Sequence, residues 1–263
     1  MDSSTSKLTN SVSLIISTFL GFTTIYFLFK GYEMSSAGPQ DSISTAAYTL
    51  GYLIVIVLVQ LAFNFSNAQA VCNGSSQNLF SVLMYTFIPN FLVLGSVIAL
   101  TSAFPGWLSP FSNTFGYLFI SCLGLSRKFN SLINTKGKNK LLTEICEDHS
   151  LVINEMTPDN YIDFMKTLAD EKSEGGRILK PKYDEEPGYN ELYKLVVIKD
   201  LIAEYIWYVM SGFLTISISS HSIANIQCEY STEEMKKTAM DLQDQEEEMQ
   251  ANQKKPSLYT VTN

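Results

Sequence analysis

Charge is nearly missing from the first half of this 263-residue chain. Between residues 8 and 125 only Lys30, Glu33 and Asp41 are charged. A soluble domain would place Lys and Glu on every surface helix, so this stretch is expected to lie in a membrane. Histidine is also scarce, at two residues, His149 and His221. No Ser/His/Asp or Cys/His spacing surrounds either one, and paired intramembrane carboxylates are lacking, so the sequence does not predict an enzyme. Cys146 and His149 form a lone Cys-x-x-His pair without a second pair, so no metal and no cofactor is expected. The four cysteines, Cys72, Cys122, Cys146 and Cys228, are too few and too scattered for a disulfide framework. Cys122 reads as packing inside an apolar run. Cys228 reads as a structural cysteine at a membrane boundary, with a disulfide as the alternative. Basic excess is absent too: the net charge is −8, and no direct nucleic-acid binding is expected. Gly175-Gly176-Arg177 has no strand–loop–helix pattern around it and reads as a turn rather than a phosphate cradle. No internal repeat suggests the paired halves of a transporter.

What is present is a series of long apolar runs. A spanning helix needs about 20 mainly apolar residues. Candidates are 12–29, 46–65, 80–104, 107–125 and about 201–223. The first follows a polar N-terminus without a convincing cleavage site and is expected to be retained. Pro89 predicts a kink in the third. The fourth is the weakest, because its strongly apolar part begins only at Phe115. Glu204, in the last, is read as snorkelling toward the boundary beside Tyr205, Trp207 and Tyr208. Pairing with Gln60 or His221 is the alternative.

The expected fold class is therefore all-α: a multi-pass transmembrane protein of four to five spans. Residues 1–125 form the membrane region, 126–200 an α-rich soluble domain, 201–226 the last span and 227–263 an acidic helical or disordered tail. Arg127, Lys128, Lys136, Lys138 and Lys140 follow the fourth run with no acid among them. They put 126–200 on the cytosolic side and are candidate contacts for anionic lipid. Five spans would then leave the N-terminus cytosolic and the tail opposite. A re-entrant fourth segment, or a hairpin at Pro89-Asn90, would change that parity. Five-span parity puts the second loop in the cytosol, so the sequons at Asn64 and Asn73 read as chance matches.

Within 126–200, "TPDNYIDFMKTLADEK" reads as a helix, with Thr157 as its N-cap and Pro158 in its first turn. From Asn190 the pattern runs as helix straight into the last span. In the tail, Ser231 and Glu234 make a capping box. Met235, Leu242 and Met249 form a thin apolar stripe, a candidate partner contact that is too narrow to fold alone.

The tail carries a resemblance. Cys228 at the end of the last span, then Ser231, Glu233, Glu234, Met235 and Lys236, then Pro256, Tyr259 and Thr260, are similar to the C-terminal pattern of multi-pass membrane proteins of nucleocytoplasmic large DNA viruses of the chlorella-virus type. The weak fourth span departs from that group's layout. The resemblance implies a structural virion component, a minor capsid protein linking the internal membrane to the icosahedral shell. Its partners would be membrane lipids and other capsid and membrane proteins. It would reside in the virion internal membrane, and in endoplasmic-reticulum-derived membrane during assembly. The alternatives are a small channel or transporter, and a membrane assembly factor.

Overall fold

The computed structural model describes residues 2–39, 46–72, 79–134, 140–170, 178–228 and 232–253. Among these described residues, four helices are long and apolar enough to cross a membrane. These are α1 (Asp2–Ser36), α2 (Ala46–Val71), α3 (the run 79–103, π-helical over Asn90–Gly95) and α9 (Pro187–Ala224). The side chains are arranged inside out relative to a soluble protein. Leu28, Phe29, Leu50, Leu58, Phe91 and Leu214 face outward, while Gln60, Asn64, Thr86, Asn90 and Ser219 are buried. Such a bundle is stable only where the surroundings are apolar and the polar groups bond internally. The chain is a multi-pass helical transmembrane protein.

The run 107–125 does not make a separate crossing. After α3 the chain steps sideways through a 3-10 turn, Pro105–Leu108, and resumes as α4 (109–122), itself π-helical over Ser112–Gly116. Three contacts fix its course beside α9. The Trp207 indole donates to the Trp107 carbonyl at 3.0 Å, the Ser112 hydroxyl donates to Asp200, and Gly116 lies against the Lys199 backbone. α4 thus climbs outward, antiparallel to the part of α9 that leaves the bundle. With α3 it makes one crossing, so the five-span parity gives way to four. The physical reason is local. Pro105, Pro110 and the polar Ser109, Ser112, Asn113 and Thr114 leave no continuous apolar run long enough to span. The kink expected at Pro89 takes the form of the π turn that follows it.

The described part of 125–186 packs on the outer half of α9. It comprises α5 (Leu125–Leu132), α6 (Lys140–Glu147), α7 (Ser150–Ile153) and α8 (Tyr161–Ala169), with one antiparallel bridge between Ile133 and Leu179. Leu132, Ile153, Met156, Tyr161 and Met165 close its core against Leu192, Val196 and Val197 of α9. The helix expected from Thr157 begins only at Tyr161. Pro158–Asn160 form a turn, in which the Thr157 hydroxyl accepts from the Asn160 amide at 3.3 Å and Asn160 Oδ1 accepts from the Thr157 amide at 2.8 Å. α10 (Thr232–Gln253) is the tail helix. Ser231 of the expected capping box lies outside the described residues.

The disulfide alternative is realised. Cys72, just past α2, bonds Cys228, just past α9, across 156 residues of sequence. Spacing hid the pair, because only the antiparallel return of α9 brings these two exits together. Ala68, Val82, Ile223 and Ile226 pack around it. α9 stops at Ala224, where the Asn225 side-chain amide donates to the His221 carbonyl at 2.9 Å. The chain therefore leaves the bundle at a capped helix end, and the covalent bond to Cys72 fixes where the tail starts.

Candidate functional site: the membrane exit and the polar interior

α9 is 38 residues long, about 57 Å at 1.5 Å per residue. It belongs to both the spanning bundle and the soluble core, and three polar devices lock it where one becomes the other. Lys30 Nζ donates to both Glu204 carboxylate oxygens, at 2.7 and 2.6 Å. Their side chains are only 9% and 12% exposed, so the pair is largely desolvated. Glu204 is therefore held by Lys30 rather than snorkelling alone, and its partner is neither Gln60 nor His221. One turn outward, Asp200 accepts from Ser112. Beside it the buried Lys199 reaches the other way, donating to the carbonyls of Ile153 and Met156, both at 2.8 Å. The first of these carbonyls closes the short helix α7, where a cation suits the C-terminal end, and the second lies in the turn that follows it. A polar cleft of about 290 Å³ lies at this junction, lined among others by Lys30, Thr101, Asp159, Asp200 and Glu204.

Near this level the protein carries an exposed aromatic collar. Phe104 and Trp107 point outward there, with the Trp107 and Trp207 rings 6.2 Å apart, and exposed Phe115 and Phe119 continue the aromatic surface outward along α4. Aromatic side chains of this kind favour the membrane–water boundary. At the other end of the bundle, the Ser11 hydroxyl donates to Asn67. From Ser11 to Lys30 is about 29 Å along α1, close to the thickness of a bilayer's hydrocarbon core.

Between these levels α2 and α3 share a buried polar face. Gln60, Asn64 and Asn67 recur at helical spacing on α2. Asn90 Nδ2 donates to Gln60 Oε1 at 2.7 Å and to the Thr86 carbonyl at 2.8 Å. Asn64 Nδ2 donates to Thr86 Oγ1 at 2.9 Å and to Ser219 Oγ of α9 at 2.7 Å. With its amide committed there, Asn64 is no glycosylation acceptor. Asn73 lies outside the described residues.

The residues singled out from sequence are not brought together. Arg127 is exposed on α5, and Lys128 pairs with Glu191 at 2.9 Å. Lys136 and Lys138 lie outside the described residues, and Lys140 opens α6. On α10, Leu242 and Met249 are exposed, while Met235 falls in its first turn. Sequence reading passed over Lys199, Lys30 and the Gln60–Asn90 pair. The signal for the last was present: amides four residues apart, 60 and 64, inside an apolar run.

In the soluble part, His149 Nε2 and Asn130 Oδ1 are 3.0 Å apart, and the ring stands edge-on to Phe129. Burial pushes the imidazole below its usual range, with Asp148 opposing weakly. Among the described residues no group of three His, Cys, Asp or Glu side chains is placed to hold a metal. No protein-family model matches the chain, and no curated protein or solved structure matches it either.

Proposed function

We propose that this protein is a structural membrane anchor, a virion component that joins a bilayer to a protein shell. The observation that carries the reading is α9. One uninterrupted helix runs from the core of the soluble domain through the bundle, and Lys199, the Lys30–Glu204 pair and Gly116 lock it on both sides of the exit. A coupling this stiff suits a protein that holds a surface at a fixed height above a membrane. The resemblance of the tail to virion membrane proteins supplies the setting. In this reading the membrane is the internal membrane of the particle, derived from endoplasmic reticulum during assembly.

Four spans and the disulfide together suggest an orientation. Cys72 and Cys228 lie at one end of the bundle, and the free cysteines Cys122 and Cys146 lie on the other side. Disulfides persist in oxidising compartments and free thiols in reducing ones. The soluble domain, with exposed Arg127, would then face the cytosol, as its basic residues also favour. The N-terminus and the acidic tail would share the opposite side. The tail stripe of Met235, Leu242 and Met249 is proposed as a partner contact there, and Arg127 and Lys128 as contacts for anionic lipid or an acidic shell surface. Mass spectrometry of gradient-purified particles tests the reading: the protein should co-purify in fixed ratio to the shell protein, and its absence would remove the proposal.

The buried amide face beside Pro89 favours a second reading, a small channel or transporter, since broken helices and buried intramembrane polar groups recur in such proteins. A liposome flux assay separates the two readings.

A further inference from the structure

We propose that the polar face between α2 and α3 is a binding site for one buried water molecule, held inside the helical bundle by Gln60, Asn64 and Asn90. The two helices run antiparallel here, so Gln60 stands opposite Asn90, and Asn64 opposite Thr86. The bonds already made fix which way each amide points. Turning Asn90 over would lose its donations to Gln60 Oε1 and the Thr86 carbonyl, and turning Asn64 over would lose those to Thr86 and Ser219. In this fixed arrangement three atoms are buried and unpartnered: Gln60 Nε2, Asn64 Oδ1 and Asn90 Oδ1. All three residues are at most 3% exposed, so neither lipid nor bulk water reaches them.

The leftover valences select the ligand. One donor and two acceptors match a molecule with one free lone pair and two O–H groups. A water accepting from Gln60 and donating to both asparagines satisfies all three, which is the usual bonding of a buried water. A metal cation would be opposed by the Gln60 N–H group, and an anion by the two amide oxygens. The site is next to Pro89, which supplies no N–H to the helix, and to the π turn that follows. Hydration there lets a broken helix persist inside hydrocarbon.

The test is water-edited solid-state NMR on the full-length protein in bilayers. Magnetisation from water should reach the side-chain amide signals of Gln60 and Asn90, and should not reach the buried backbone amide of Phe19 on α1. Replacing choline chloride by sodium chloride should leave the two amide shifts unchanged. Absence of transfer to both amides overturns the site. A sodium-dependent shift overturns the choice of water by showing a cation there. Neither result depends on whether the protein is found in particles.

Discussion

Lys30 is the only cation between residues 8 and 125, and the structure spends it on Glu204. Removing one member of a largely desolvated pair leaves a charge without a partner, at a cost of roughly 3–5 kcal/mol, while replacing both by apolar residues is far milder. Glu204→Gln should therefore still insert, because insertion follows the apolar run, but melt at lower temperature in detergent. Lys30→Met/Glu204→Leu should recover most of that loss, and a double variant as unstable as the single would show that the pair does not act as a unit. His149 gives a pH-dependent counterpart. Its folded pKa lies below the model-compound value of 6.5, so the fold prefers the neutral ring. That preference contributes fully above the unfolded value and is lost as the pH falls below it. Between pH 7 and 5 the melting temperature of the native protein should drop more than that of His149→Gln, and equal drops would remove His149 from the account.

At the scale of the element, α9 organises the molecule. α1 lays Phe19 on Gly212, and α4 lays Gly116 on the Lys199 backbone. The second approach is the stricter, because a methyl at residue 116 meets main-chain atoms that cannot rotate away. Gly116→Ala should cost about 1–3 kcal/mol, the range for overpacking, and should push α4 off α9. Thermal unfolding and hydrogen exchange over 109–122 would report it. Lys199→Met should act elsewhere. It leaves the spans inserted but releases the carbonyls of Ile153 and Met156, so protease sites within 140–170 should open while α1 and α2 stay protected. On α10 every described side chain is exposed. Its exposed Leu242 and Met249 offer too little area to overcome chain entropy, so an isolated 229–263 peptide should show little helix by circular dichroism in plain buffer. Truncation after Cys228 should leave the spans inserted and lower incorporation into particles. Full incorporation would leave the stripe without an assembly role.

For the whole molecule, the prediction is sidedness. In sealed membranes, a Ser131→Cys variant, along with native Cys122 and Cys146, should react with a membrane-impermeant maleimide from the cytosolic side. Reducing agent should shift the mobility of the unlabelled protein only when it reaches the opposite side, where Cys72–Cys228 lies. Labelling from the lumen alone would invert the molecule and with it the assignment of the tail.

The all-α class and the run of helix from the soluble segment into the last span were legible in the sequence. A span announces itself by length and by the near-absence of charge, and both are properties of consecutive residues. Sequence also located the break at Pro89. It did not decide the number of crossings, because 107–125 is apolar on average. Only packing against α9 shows that its outward course continues α3. It did not pair Cys72 with Cys228, Lys30 with Glu204, or Lys199 with the carbonyls of Ile153 and Met156. Each of these joins residues that are adjacent only after antiparallel helices fold back on one another, and hydropathy along the chain carries no record of which helix neighbours which. The amides at Gln60, Asn64 and Asn90 stand between the two cases. Their spacing is in the sequence, but the depth that makes three unpartnered atoms costly exists only when α2, α3 and α9 close around them.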